Sequence, residues 1–170
     1  MNTFVTNNIF YRQQPKQTLK FNLKAGIGGF FSIAILSGLS QMTDTVLLMA
    51  PFGATCVLLF SLPNSPLSQP INVIGGHFIS TVIGLILFQF LPTEWWSLGL
   101  AVGLSITFMA ILRVTHPPAG ADPLVVFFGG LTWEYLLFPV ITGSLLLTAI
   151  AWAFHKIPPS TKYPTQPNLE

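Results

Sequence analysis

Hydrophobic positions in this chain come in long blocks rather than in the short alternations or three-to-four-residue spacings of a water-soluble fold. Charge bounds the blocks. Nineteen residues without formal charge lie between Lys24 and Asp44, forty-nine between Asp44 and Glu94, eighteen between Glu94 and Arg113, and twenty-one between Glu134 and Lys156. A membrane-crossing helix needs about 20 mainly apolar residues, so the first, third and fourth blocks hold one helix each. The long block holds two, divided by the turn Pro63-Asn64-Ser65-Pro66 and by Pro70. Spans near 25–42, 46–62, 71–91, 96–112 and 134–155 follow, with a shorter apolar piece at 117–131 that Asp122 interrupts.

Composition turns this pattern into a class. The 170 residues are 51% hydrophobic and 7% charged, against about 25% charged in a soluble domain. Such a chain cannot cover its surface with polar groups in water, which excludes a soluble enzyme, a nucleic-acid binder and a disordered regulator. Its solvent is lipid. One cysteine, Cys56, excludes a disulfide framework or thiolate metal cluster. A net charge of +2 is too small for a polyanionic partner.

Residues 1–24 form a polar, basic segment that lacks the apolar stretch of a cleavable signal and the serine of a transit peptide. Arg12, Lys16, Lys20 and Lys24 suit either a basic face on lipid headgroups or a solvated tail. Residues 156–170 read as a disordered, proline-rich tail. If all six pieces cross and the amino terminus is cytoplasmic, every Lys and Arg falls inside, while Asp44, Glu94 and Glu134 fall outside. The positive-inside rule therefore favours six crossings. The alternative, four spans plus re-entrant segments at 46–62 and 117–131, leaves Arg113 outside. The expected fold is an all-α membrane protein of about six segments.

The chain also carries an internal repeat, inverted if each half crosses three times and parallel if each crosses twice. At an offset of 67 residues, Pro51, Gly53 and Ala54 fall on Pro118, Gly120 and Ala121, and Phe60 on Phe127. Val73, Ile74, Gly76, Thr81 and Ile83 fall on Val140, Ile141, Gly143, Thr148 and Ile150. With three crossings each, the halves 25–91 and 92–155 must be inverted. Inverted repeats with interrupted segments at matching places point to a transporter-type site near the bilayer midplane.

The interruptions carry the candidate chemistry. Proline removes a backbone donor and pushes the residue before it toward extended conformation, and in hydrocarbon the freed carbonyls need partners. Thr55 and Asp122 stand at matching positions after the breaks, and both residue types cap helices well; Pro123 suits the first turn. Half-helices at 55–62 and 122–131 would aim their amino ends inward, and such ends attract anions. Pro51, Gly53, Ala54 and Thr55, with His116, Pro117, Pro118, Gly120 and Ala121, are the expected substrate-binding residues. His116 and Asp122 would handle protons, since ionisable groups at membrane depth are functional hypotheses by default. A structural reading stands beside this one: Asp122 as a cap and His116 bonding a stranded carbonyl. Arg113 is either a snorkelling span end or a cationic lure at the cytoplasmic mouth. His77 reads as a hydrogen bond between helices, and His155 as interfacial. Three dispersed histidines make a weak metal argument, so no metal or cofactor is expected. Trp95, Trp96 and Trp133 on one side and Trp152 on the other resemble an aromatic belt. Gly26, Gly28, Gly29, Gly99 and Gly103 resemble close-packing helix faces.

The octapeptide His116-Pro117-Pro118-Ala119-Gly120-Ala121-Asp122-Pro123, with Pro-Phe-Gly-Ala-Thr at 51–55, resembles the HPP family of integral membrane proteins over roughly 24–155. The resemblance implies four spanning helices, in conflict with six, and implies nitrite transport, by analogy with members in cyanobacteria and chloroplasts. It also implies a bacterial inner-membrane form without an appended regulatory domain. The expectation is a transporter of a small monovalent anion, nitrite first, and not an enzyme. An anion channel and a structural or assembly subunit are the alternatives. Lipid and a small inorganic anion are the expected partners, nucleic acid is not, and a bundle this small leaves homo-oligomerisation open.

Overall fold

The computed structural model describes residues 12–165 and is all-helical over them. Helix α1 runs Leu19–Thr43, α2 Pro51–Ser61, α3 Pro70–Phe90, α4 Trp95–Ile111, α5 Asp122–Gly129 and α6 Thr142–His155. A π-turn, Leu136–Ile141, leads into α6, and 3-10 turns at Pro66–Ser68 and Pro117–Ala121 precede α3 and α5. Three stretches are long and apolar enough to cross a membrane: Leu19–Thr43, Pro70–Phe90 and Leu136–His155. Large apolar side chains such as Phe30, Phe90 and Phe128 stand on the outside, a surface fit for lipid rather than water.

Local chemistry sets the helix ends. The Thr18 hydroxyl accepts from the Phe21 amide at 3.2 Å, so α1 begins six residues ahead of the expected 25 and takes in Lys20 and Lys24. Pro70 opens α3, where its missing N–H costs nothing. Glu94 and Ser97 form a reciprocal cap on α4. Gly130, at φ 56°, ends α5 in the left-handed region that glycine enters freely.

Two expected spans differ from expectation. The 46–62 segment is helical only from Pro51 to Ser61, and the 117–131 segment is a 3-10 turn followed by the eight-residue α5. Residues Pro117–Ala121 form the 3-10 turn, and the α-helix begins at Asp122 with Pro123 in its first turn. At 1.5 Å per residue, α2 and α5 rise only about 16 and 12 Å, well short of a bilayer core of about 30 Å. Each forms part of a longer path with the irregular backbone before it.

Packing gives the direction of each path. Gly28 of α1 packs on Phe60 and Gly29 lies near Cys56, so α2 runs back along α1. Asn72, Gly76, Ser80 and Gly84 of α3 meet Thr115, His116, Ala119 and Pro123 in turn, so that stretch ascends beside α3. Gly143 meets Phe52, and His155 Nε2–H donates to the Leu59 carbonyl at 2.9 Å, so α6 runs alongside α2. Lys24 Nζ donates to the Ile157 and Pro159 carbonyls, bringing the start of α1 and the end of α6 to one face.

The 67-residue offset reappears in these contacts. A Cβ at Gly76 would meet the Val114 carbonyl at 3.0 Å, and one at Gly143 the Leu47 carbonyl at 2.7 Å; both members of the pair shift by the offset. The Phe60–His155 and Phe88–Phe127 ring pairs, 5.8 and 5.3 Å apart, are related in the same way.

Two further expectations need correction. His155 is buried rather than interfacial, because its ring reaches inward to Leu59. Part of the supposed disordered tail is packed: Tyr163 is buried and its hydroxyl donates to the Ser68 carbonyl at 3.0 Å. Burial raises the Tyr163 phenol above its ordinary pKa, which keeps that donor in place. Residues 1–11 and 166–170 of the two terminal segments lie outside the described residues. Of the five glycines expected to pack closely, Gly28 does so, while Gly26, Gly99 and Gly103 have open space where a Cβ would stand.

Candidate functional site

Gly76 and Gly84 let α3 approach the 114–123 backbone closely, and the polar residues between them meet it. His116, held extended before Pro117 (φ −136°, ψ 104°), projects across toward α2 and the 3-10 turn before α3. Its Nδ1–H donates to the Leu67 carbonyl at 2.8 Å, and its Nε2 lies 3.0 Å from Thr55 Oγ1. Thr55 Oγ1 also lies 2.9 Å from His77 Nε2, and His77 Nδ1 lies 2.8 Å from Asp122 Oδ2. The Thr81 hydroxyl donates to that same Oδ2 at 3.3 Å. Thr55, His77, Thr81, His116 and Asp122 are all fully buried. Asp122 Oδ1 is buried with no partner.

The site departs from the expected converging helix ends. Pro51 opens α2, so Thr55 sits past the first turn and donates back to the Pro51 carbonyl at 3.3 Å instead of capping. Asp122 begins α5 without a side-chain cap and turns to His77. Local turns already occupy the nearby amides: Phe52 bonds Met49, Gly53 bonds Ala50, and Ala119 bonds the His116 carbonyl, at 3.0 to 3.2 Å. Gly53 and Ala54 lie on the exposed face of α2, away from the cluster, because only every third or fourth residue of a helix shares the Thr55 face. Pro51 and Pro118 are buried, Pro117 is exposed, and Gly120 and Ala121 are half-buried. Arg113 is exposed in a left-handed turn (φ 59°) after α4, apart from the cluster.

Stranded carbonyls find partners as hydrocarbon requires. Asn72 Nδ2 donates to Thr115 at 3.0 Å and the Ser80 hydroxyl to Ala119 at 2.6 Å. His77, expected to bond between helices, does so and stands at the centre of the site. Thr81 and Ser80 escaped the sequence reading. Their signal was a polar stripe, His77, Ser80 and Thr81 at i, i+3 and i+4, in the middle of a mainly apolar helix.

Thr55, His77 and Asp122 stand in the hydroxyl–imidazole–carboxylate order of acyl-transfer enzymes. Here the hydroxyl is enclosed, and His116 occupies a second side of it. Among the described residues, no group of three or more His, Cys, Asp or Glu side chains is placed to hold a metal ion.

The model of the HPP transmembrane region matches residues 14–164. The chain belongs to the HPP family. Two transmembrane proteins of Dictyostelium discoideum are similar to it. One is 32% identical over 151 residues, covering 81% of this chain and 48% of its own length. The other is 34% identical over 125 residues, covering 69% and 44%. The chain thus spans about half the length of the curated relatives it matches. No solved structure gives a significant match. The HPP motif itself, His116-Pro117-Pro118, supplies the His116 ring of the cluster and the prolines that hold its backbone open.

Proposed function

We propose that this HPP protein is a carrier of a small monovalent anion, with nitrite the first to test, and that transport rather than catalysis is its activity. One observation carries the reading: a buried, ionisable cluster among the apolar helices joins α2 and α3 to His116 and to Asp122 at the start of α5. Groups of this kind are expensive in lipid and mark substrate or proton paths. In this reading the chain makes six passes in two inverted halves, with both termini cytoplasmic in a bacterial inner membrane. Supporting it are the contact pairs related by the 67-residue offset and the shared face of Lys24 and Ile157. The broken segments let one half rock against the other around the cluster, as in repeat-built carriers.

Counterflow tests the function. Vesicles holding purified protein and preloaded with unlabelled nitrite are expected to take up labelled nitrite faster than unloaded ones. Uptake without that acceleration would indicate a channel, and uptake at the empty-vesicle rate a structural subunit. Cysteine labelling tests the topology, since the native Cys56 is buried. In this reading, Asn64→Cys reacts with an impermeant thiol reagent from the cytoplasmic side and Trp95→Cys from the opposite one. Labelling of Asn64→Cys from the outside, or of Trp95→Cys from the cytoplasm, would reject the six-pass arrangement.

A further inference from the structure

We infer that Asp122, His77, Thr55 and His116 form a proton relay that holds one mobile proton at rest and passes it between Asp122 and His116. The inference deepens the transport reading and rests on it for what the proton accompanies; the proton count stands on the hydrogen bonds alone.

The count starts from His116. The Leu67 carbonyl can only accept, so His116 Nδ1 carries a hydrogen. If His116 is neutral, its Nε2 is a bare acceptor that needs the Thr55 hydroxyl proton; the Pro51 carbonyl, farther from that hydroxyl at 3.3 Å, already accepts a backbone amide within α2 and does not require it. Thr55 Oγ1 must then accept from His77 Nε2–H. A neutral His77 protonated at Nε2 turns a bare Nδ1 toward Asp122 Oδ2, and an ionised carboxylate there would set lone pair against lone pair at 2.8 Å. The other tautomer of His77 repairs that contact but leaves both Nε2 atoms bare around one hydroxyl proton. Two neutral imidazoles and an ionised carboxylate therefore cannot satisfy every contact. One added proton satisfies them all and leaves the cluster neutral, as burial in a low-dielectric interior demands.

That proton has three homes on the same heavy-atom frame. It can rest on Asp122 Oδ2 facing His77 Nδ1, on His77 as an imidazolium beside a carboxylate, or on His116. Movement from Asp122 to His116 takes three short transfers, with no atom gained or lost. Asp122 gives its proton to His77 Nδ1, His77 Nε2 gives one to Thr55 Oγ1, and Thr55 gives its own to His116 Nε2. Asp122 ends as a carboxylate and His116 as an imidazolium. The relay spans the contact between α2, α3 and the 114–123 backbone, and at the His116 end it reaches the Leu67 carbonyl, in the 3-10 turn before α3. At the Asp122 end the unpartnered Oδ1 leaves a second position for a proton to arrive or leave. The other buried titratable groups on elements packed here do not join it: Tyr135 donates to Met49 Sδ at 3.2 Å, His155 on α6 donates to the Leu59 carbonyl at 2.9 Å, and Cys56 is a buried free thiol. Ser105 on α4 is buried without a partner and bears no exchangeable charge.

Two measurements on the full chain in lipid vesicles decide the matter. Solid-state NMR with 15N-histidine and 13C-aspartate labels is expected to find one proton beyond two neutral imidazoles and an ionised Asp122. Spectra of two neutral rings beside a carboxylate would overturn the relay. The second measurement follows the lumen with a trapped pH dye while a nitrite gradient is applied, with empty vesicles giving the background from nitrous acid permeation. The native chain is expected to acidify the lumen beyond that background. Thr55→Val should lower protein-dependent acidification roughly a hundredfold, the scale on which a positioned proton-transfer group contributes, and Thr55→Ser, which keeps the hydroxyl, should restore it. Native-like acidification by a folded Thr55→Val would overturn the relay. Nitrite entry without acidification would also overturn it and leave the carrier standing; the extra proton seen by NMR without any nitrite entry would do the reverse.

Discussion

Asp122→Ala is expected to abolish nitrite uptake and to lower the stability of the folded chain by about 3–5 kcal/mol, the cost of removing one partner from a buried charged pair. The reason is local. The carboxylate oxygen Oδ2 is held at 2.8 Å by His77 and at 3.3 Å by Thr81, and all three side chains are cut off from solvent. Alanine leaves an imidazole nitrogen and a hydroxyl facing apolar surroundings with nothing to bond. Asp122→Asn separates stability from function: it keeps the volume and an acceptor oxygen for His77 but cannot hold or release the proton. It should therefore unfold close to the native temperature in detergent and still fail in the flux assay. An alanine variant as stable as the native chain would show that the pair does not hold α3 to α5. An asparagine variant that transports at the native rate would remove the carboxyl group from the mechanism.

Much of this architecture was legible because the membrane simplifies the problem. Uncharged blocks between Lys24, Asp44, Glu94 and Arg113 mark apolar helices without any need for periodicity, and prolines 51, 117 and 118 mark the interruptions. Asp122 stood out because a carboxylate in an apolar block requires a partner. Its partner did not stand out, because sequence spacing tells which residues share a helix face but not which distant element that face meets. His77 and Asp122 are 45 residues apart in the chain and 2.8 Å apart in space. Thr55 was misplaced for a smaller reason. Pro51 is pre-set for helical φ and needs no donor, so it starts α2 itself, and the hydroxyl expected to cap a helix end points sideways into the cluster. The tail was misread because a single apolar-bodied side chain, Tyr163, anchors a sequence that composition alone marks as disordered.

The repeat makes a last, sharper demand on the glycines. Gly76→Ala and Gly143→Ala are each expected to destabilise the chain by about 1–3 kcal/mol through overpacking, whereas Gly99→Ala should leave stability unchanged or raise it, since alanine suits a helix interior better than glycine. A methyl group at Gly143 would stand against the Phe52 ring and 2.7 Å from the Leu47 carbonyl, and backbone cannot step aside as a flexible side chain can. At Gly76 the new methyl would meet His116 Cβ at 2.6 Å and the Val114 carbonyl at 3.0 Å, while nothing lies within 4 Å of the same position at Gly99. The two tight positions should differ in function. Gly76→Ala displaces His116 from Thr55 and so breaks the relay, while Gly143→Ala presses on Phe52, whose ring packs edge-on at 5.3 Å against His77. Folded Gly76→Ala protein should therefore lose proton movement even in a lipid that restores its thermal stability. If Gly76→Ala transports normally once stabilised, His116 is a packing residue and the proton path must end at His77.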